Sequence, residues 1–85
     1  MERSGPRIRA NRKSQDALLS VLRKIRAEAG LRQTDMAERL HMPQSFVSKY
    51  ESGERRLDTL ELRAVCKAVG ISLVDFAKRL ERLLD

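Results

Sequence analysis

Residues 33–53, QTDMAERLHMPQSFVSKYESG, constrain the chain more than any other stretch. Met36, Ala37 and Leu40 recur at i, i+1 and i+4 and share one helical face; Val47, Tyr50 and Glu51, at i, i+3 and i+4, share one in the second half. Between them lies Leu40-His41-Met42-Pro43. Proline has no backbone N–H and a fixed φ, so Pro43 suits the first turn of a new helix and not a helix interior. It also disfavours a helical conformation at Met42, so the first helix ends before that residue. Gly53 supplies the left-handed residue that closes the second helix. The expectation is two short amphipathic helices joined by a tight turn, which is the layout of a DNA-reading helix-turn-helix.

The polar side of the second helix agrees with that layout. Gln44, Ser45, Ser48 and Lys49 point away from the apolar face. An amide, hydroxyls and one cation are the groups that read base edges and phosphates. With Gly30-Leu31-x-Gln33 ahead of the first helix, Ala37 within it and Gln44-Ser45-x-Val47-Ser48-Lys49-Tyr50-Glu51-x-Gly53 in the second, the sequence resembles the lambda-repressor/Cro-like helix-turn-helix family, the XRE regulators. The resemblance continues through Leu57 to Leu73 and covers about residues 18–80. It implies an all-α, five-helix DNA-binding domain with the helix-turn-helix at helices 2 and 3. It further implies that Gln33 contacts the DNA backbone and that Arg26 pairs with Glu51, clamping the first helix to the third.

Eighty-five residues make one small domain with a compact core. No stretch of about 18 apolar residues is present, and the basic N-terminus runs into no apolar segment, so neither a membrane span nor a secretory signal is expected. The natural compartment is a cytoplasm. The net charge is +6, of which the first 14 residues hold +4 through Arg3, Arg7, Arg9, Arg12 and Lys13 against Glu2. Such an excess favours a polyanionic partner. Residues 1–14 include Gly5-Pro6 and almost nothing apolar, so they read as a basic flexible arm. That arm either lies along phosphates or a minor groove, or is a solvated tail. Residues 15–85 read as the folded domain.

The first helix is expected from residue 14 or 15 to 29, capped near Ser14 or Asp16, with Leu18, Leu22, Ile25 and Ala29 as the buried stripe and Val21 beside it. Arg32 stands before the second helix, where the family usually has Ser or Thr. It cannot accept from the exposed N–H groups, so that end is frayed or left for a phosphate; Arg32 and Gln33 are candidate phosphate contacts. His41 falls where a left-handed residue is needed and reads as a turn residue. In the third helix, Phe46 either touches a thymine methyl or covers the flank. Tyr50 faces the core and is expected to send its hydroxyl out to a phosphate. Arg55 and Arg56 are placed for the flanking backbone. Asp58-Thr59-Leu60-Glu61 resembles a capping box opening helix 4, with Leu57 stapled to Leu62 and Leu62, Val65, Cys66 and Val69 facing inward. Cys66, the only cysteine, reads as a small buried hydrophobe in a reducing compartment.

Helix 5 opens at Ser72-Leu73-Val74-Asp75 and carries two apolar stripes. Val74, Ala77, Leu80 and Leu84 form one; Leu73, Phe76, Leu80 and Leu83 form the other. One is expected on the core. The other, assigned to Leu73, Phe76, Leu80 and Leu83, is expected to meet a second copy in a two-fold dimer. No glycine-rich phosphate loop, metal-ligand spacing or nucleophile–base pair is apparent in the sequence, so no enzyme, metal or cofactor is expected. The function expected is a sequence-specific regulator, a dimeric repressor on a palindromic operator in double-stranded DNA. The alternative is an antitoxin-like or adaptor protein whose partner is another protein docked on helix 5. A membrane-surface role lacks an amphipathic anchor.

Overall fold

Asn11 starts the first helix. Its side chain accepts the backbone N–H of Ser14 at 2.8 Å, and α1 runs Arg12–Glu28 from that cap. The computed structural model describes residues 11–84. The arm's Arg3, Gly5, Pro6, Arg7 and Arg9 lie outside the described residues, whereas Arg12, Lys13 and Ser14 are helical. The cap expected at Ser14 or Asp16 is thus corrected to Asn11, because an asparagine oxygen reaches the third residue ahead as well as a serine does. Four further helices follow: α2 Gln33–Leu40, α3 Gln44–Ser52, α4 Thr59–Ala68 and α5 Leu73–Leu84.

Each junction shows why the chain turns there. Gly30 takes φ +73° just past α1. His41 takes φ 55°, ψ 40° after α2, while the Met42 N–H donates back to the Ala37 carbonyl at 3.0 Å. Pro43 sits one position ahead of α3 as its cap, in extended conformation. Gly53 ends α3 at φ +86°, and a Cβ there would meet Leu19 Cδ1 at 3.1 Å. Both backbone geometry and the closeness of α1 therefore require glycine. Asp58 and Glu61 form the reciprocal capping box at α4, through bonds of 2.7 and 2.9 Å. Ser72 accepts the Asp75 N–H at the start of α5.

The core gathers Val21, Leu22 and Ile25 of α1, Met36 and Ala37 of α2, Val47 and Tyr50 of α3, Val65 and Cys66 of α4, and Phe76 of α5. Burial pushes the Cys66 thiol up, toward the inert protonated form. Ala29, expected in the buried stripe, is exposed; α1 ends at Glu28 and Ala29 is its C-cap.

Helix 5 departs from the two-stripe expectation. At 100° per residue the two stripes merge into one broad apolar face, with Leu73 and Leu80 near its centre and Phe76 between them and Leu83. Phe76 is 1 % exposed, and Leu73 and Leu80 pack on the same core. The dimer assignment of Phe76 is corrected: it is buried in the core, with Leu73 and Leu80 half-buried beside it. Leu83 and Val74 lie at opposite edges of that face, 49 % and 63 % exposed.

Candidate nucleic-acid interface

The short helix α3 has one side fixed by burial. Val47, Tyr50 and Glu51 are 0, 1 and 3 % exposed, and Glu51 is the one charged residue buried among those described. A buried carboxylate is costly unless its oxygens are satisfied. Arg26 supplies most of what is needed: Nε donates to Oε2 at 2.7 Å and Nη2 to Oε1 at 3.0 Å. Its remaining Nη1 donates to the Leu31 carbonyl at 2.9 Å. The Glu51 hydrogen bond holds the Arg26 guanidinium more firmly protonated than usual, against the opposing effect of burial. Gln33 Nε2 completes the shell at 3.1 Å.

This shell reaches the surface through Gln33. The Gln44 amide donates to Gln33 Oε1 at 2.7 Å. A continuous line of hydrogen bonds therefore runs from Arg26 through Glu51 and Gln33 to Gln44. It fixes the side chain at the N-terminal end of α3 against the scaffold behind it. Gln44, Ser45 and Lys49 are exposed and Ser48 is half-buried. Ser45, Ser48 and Lys49 lie on the side of α3 away from Val47 and Tyr50, and Gln44 lies at the N-terminal edge of that side, next to Glu51.

Of the expected phosphate contacts, Gln33 is tied into the network above, and the other four divide into three groups. Tyr50 is removed from the set: its hydroxyl is enclosed and lacks a hydrogen-bond partner among the described residues. The ring packs edge-on against Phe46, with centroids 5.5 Å apart and planes at 74°, and this contact turns the phenol inward. Burial raises its pKa far above the ordinary phenol value. An unpaired buried hydroxyl costs about 1–3 kcal/mol. Arg55 and Arg32 are exposed but engaged. Arg55 grips Glu61 with both terminal nitrogens, at 3.1 and 2.9 Å, and lies 4.7 Å above the Phe46 ring. Phe46 accordingly covers the flank of α3. Arg32 pairs with Asp35 at 3.0 and 3.1 Å. Arg56 and Lys49 have no carboxylate partner among the described residues.

At the start of α2, Asp35 accepts the Arg32 backbone N–H at 2.9 Å, while no side chain caps the helix's own first N–H groups. The Arg32 guanidinium and backbone N–H hold the Asp35 carboxyl at about 2. Two arginines with no expected role also position the site. Arg23 Nη1 donates to the Glu51 carbonyl at 3.0 Å, and Arg39 Nη1 to the Ala68 carbonyl at 2.7 Å. They satisfy carbonyls that the ends of α3 and α4 leave open. The Arg32-x-x-Asp35 spacing could have signalled the Asp35 bond, as half of a capping box. Nothing in local spacing signals Arg23 or Arg39, whose partners lie 28 and 29 residues away.

Comparison with known proteins agrees with this geometry. The helix-turn-helix family matches residues 22–76, from within α1 through Phe76. A solved structure of an XRE-family like protein from Pseudomonas syringae pv. tomato str. DC3000 is 40% identical, with a TM-score of 0.77 over 85% of this chain and 88% of that one. The chain belongs to the XRE-type helix-turn-helix family. Two further solved structures share the family fold. The restriction-modification controller protein C.Esp1396I is 26% identical, with a TM-score of 0.77 over 87% of this chain and 95% of its own. The clp gene regulator ClgR from C. glutamicum is 26% identical, with a TM-score of 0.73 over 85% and 92%. The curated proteins contain no match. Family membership makes α2 and α3 the helix-turn-helix pair. Among the described residues no helix is long and apolar enough to cross a membrane, and no group of His, Cys, Asp and Glu could hold a metal.

Proposed function

We propose that this protein is a sequence-specific, double-stranded-DNA-binding transcriptional regulator that places the N-terminal end of α3 in the major groove. One observation carries the reading: Gln44 is exposed at that end and is also held by Gln33, whose own amide rests on the buried Arg26–Glu51 pair. A fixed amide at a helix tip suits bidentate bonding to adenine N6 and N7. Ser45, Ser48 and Lys49 extend the reading face. Gln33, Arg56 and the paired Arg32 and Arg55 are assigned to the flanking phosphates. The similarity to a controller protein also solved as a nucleoprotein complex supports DNA as the partner. We assign the regulator to the cytoplasm, as a repressor without catalytic activity.

The protein acts as a homodimer on a palindromic operator in this reading. Leu60, Val74 and Leu83 are large apolar side chains left outside the core, and they are the candidates for the seam. Those side chains also fit an adaptor that docks another protein. Light scattering on the purified chain separates the two: a homodimer supports the first, and a monomer that assembles only with a second protein supports the other.

The decisive experiment is selection from randomised duplexes with the native chain and with Gln44→Ala. The variant is expected to lose about 1–3 kcal/mol on the selected site and to accept any base at one position per half-site. An unchanged base preference would remove Gln44 from the readers.

A further inference from the structure

Arg55 follows α3 as an exposed cation, yet both of its ends are anchored. Its backbone N–H donates to the Lys49 carbonyl at 3.1 Å, which ties the segment back to α3. Its guanidinium donates to Glu61 from Nη1 at 3.1 Å and from Nη2 at 2.9 Å, and Nη1 also donates to the Arg56 carbonyl at 2.9 Å. The Phe46 ring lies 4.7 Å from Cζ and covers one face of the plane. A guanidinium carries five N–H donors in a fixed fork. Nη1 therefore has both hydrogens engaged and Nη2 has one. The Nε–H and the second Nη2 hydrogen have no partner among the described residues. These two lie side by side on one edge of the plane. The same edge of Arg26 grips Glu51, with Nε at 2.7 Å and Nη2 at 3.0 Å, so it is a fork that fits two oxygens of one anion. The Arg55 side chain is 41 % exposed, which leaves an anion room to approach it.

We propose that Glu61 is a positioning residue for DNA binding: it holds the tip of the Arg55 guanidinium, stacked on Phe46, so that the Nε–Nη2 edge is presented to one backbone phosphate. The ion pair stays closed when DNA binds, because carboxylate and phosphate take different edges of one group. This deepens the DNA-binding reading and rests on it. Its opposite is a Glu61 that competes with the phosphate for Arg55. Removing a competing carboxylate would free Arg55 and add a positive charge, and both effects tighten DNA binding. Removing a mount lets a long side chain sample many rotamers, and ordering it again on the phosphate weakens binding. Lysine cannot replace Arg55 in the mount, because an ammonium has no planar fork with a second edge to offer.

The mount is read on the free, full chain, and the contact on the selected duplex. In the free chain, NMR of the arginine side-chain nitrogens is expected to resolve the Arg55 Nη signals, because the Glu61 fork stops rotation about Cζ–N. Glu61→Gln is expected to merge them. The glutamine keeps an oxygen for the Asp58 N–H, so α4 stays capped. On DNA, Arg55→Ala is expected to weaken binding about tenfold, the loss of a hydrogen-bonded charged contact. Arg55→Lys keeps the charge and falls nearly as far. Glu61→Gln weakens the native chain several-fold despite the added positive charge. In the Arg55→Ala background it has no further effect, a coupling that a general loss of α4 stability would not produce. Tighter binding by Glu61→Gln would make Glu61 a competitor and overturn the proposal. So would Arg55→Lys binding as the native chain does, a Glu61→Gln effect of equal size with and without Arg55, or merged Arg55 Nη signals in the native chain. Failure of the DNA reading is distinct from these: the native chain itself then selects no duplex, and the proposal falls with it.

Discussion

Glu51 decides how much of the helix-turn-helix can move. Its carboxylate is 3 % exposed and tied by two bonds to Arg26, one of them 2.7 Å, and by one to Gln33. Removing one partner of such a pair leaves a buried charge, and that costs far more than the pair contributes relative to apolar replacements. Arg26→Met is therefore expected to lower unfolding stability by about 3 kcal/mol, read from the urea midpoint. Arg26→Met combined with Glu51→Leu is expected to recover most of that loss, because no charge is then stranded. Equal destabilisation of the single and double variants would show that the pair acts by packing and not by charge. Gln44 is the surface readout of the same network: with Glu51 displaced, Gln33 loses its anchor and Gln44 its fixed orientation.

At the scale of the helices, the start of α2 carries a test in pH. The Asp35 carboxyl is held at about 2 by the Arg32 side chain and backbone N–H. A carboxyl depressed in the folded state adds stability above its unfolded pKa and loses that contribution as pH falls through the folded value. The window here runs from the ordinary aspartate range down to about pH 2. Carbon-detected NMR is expected to place the Asp35 midpoint near 2, and Arg32→Ala to move it up toward the ordinary aspartate range. A native midpoint already in that range would mean that the α2 cap is open in solution. The helices themselves were legible in the sequence, because Pro43, Gly30, Gly53 and Asp58 punctuate a clear 3.6-residue pattern. Two things were not. Helix 5 shows apolar residues over so wide an arc that periodicity alone does not say which of them touch the core. Phe76 lies inward as a member of the same buried cluster as Val21 and Ile25 of α1, a fact of tertiary packing. Likewise Tyr50 has a polar tip that local spacing does not place, whereas its ring packs edge-on against Phe46 with the hydroxyl enclosed. The exposed face of Gln44, Ser45 and Lys49 was legible, but the Gln33 bond that orients Gln44 joins residues from different helices and leaves no local trace.

One protomer is a small reader. α3 has 9 residues, and about two helical turns reach few base edges. Each good contact discriminates by about 1–3 kcal/mol, which is too little for one protomer to single out a site among many competitors. A two-fold pair adds the two half-sites, about 34 Å apart, and thereby doubles the contacts without enlarging the domain. The surface left for such a seam is what the core did not use: Leu60 at 77 %, Val74 at 63 % and Leu83 at 49 % exposure. Placing a charge there taxes only the association. Val74→Asp and Leu60→Asp, made separately, are expected to leave the unfolding midpoint nearly unchanged. At least one of them should shift light scattering toward the monomer and raise the protein concentration for half-saturation of a two-half-site duplex. Base preference within a half-site stays the same. Salt gives a second reading of the same assembly. Each phosphate contact contributes about −0.9 to the slope of log affinity against log salt, so Arg56→Gln in a dimer should lower the slope by about 2 and in a monomer by about 1. A change near 1 together with monomeric scattering would mean that one copy binds alone, and specificity would then have to come from a longer contact than α3 provides.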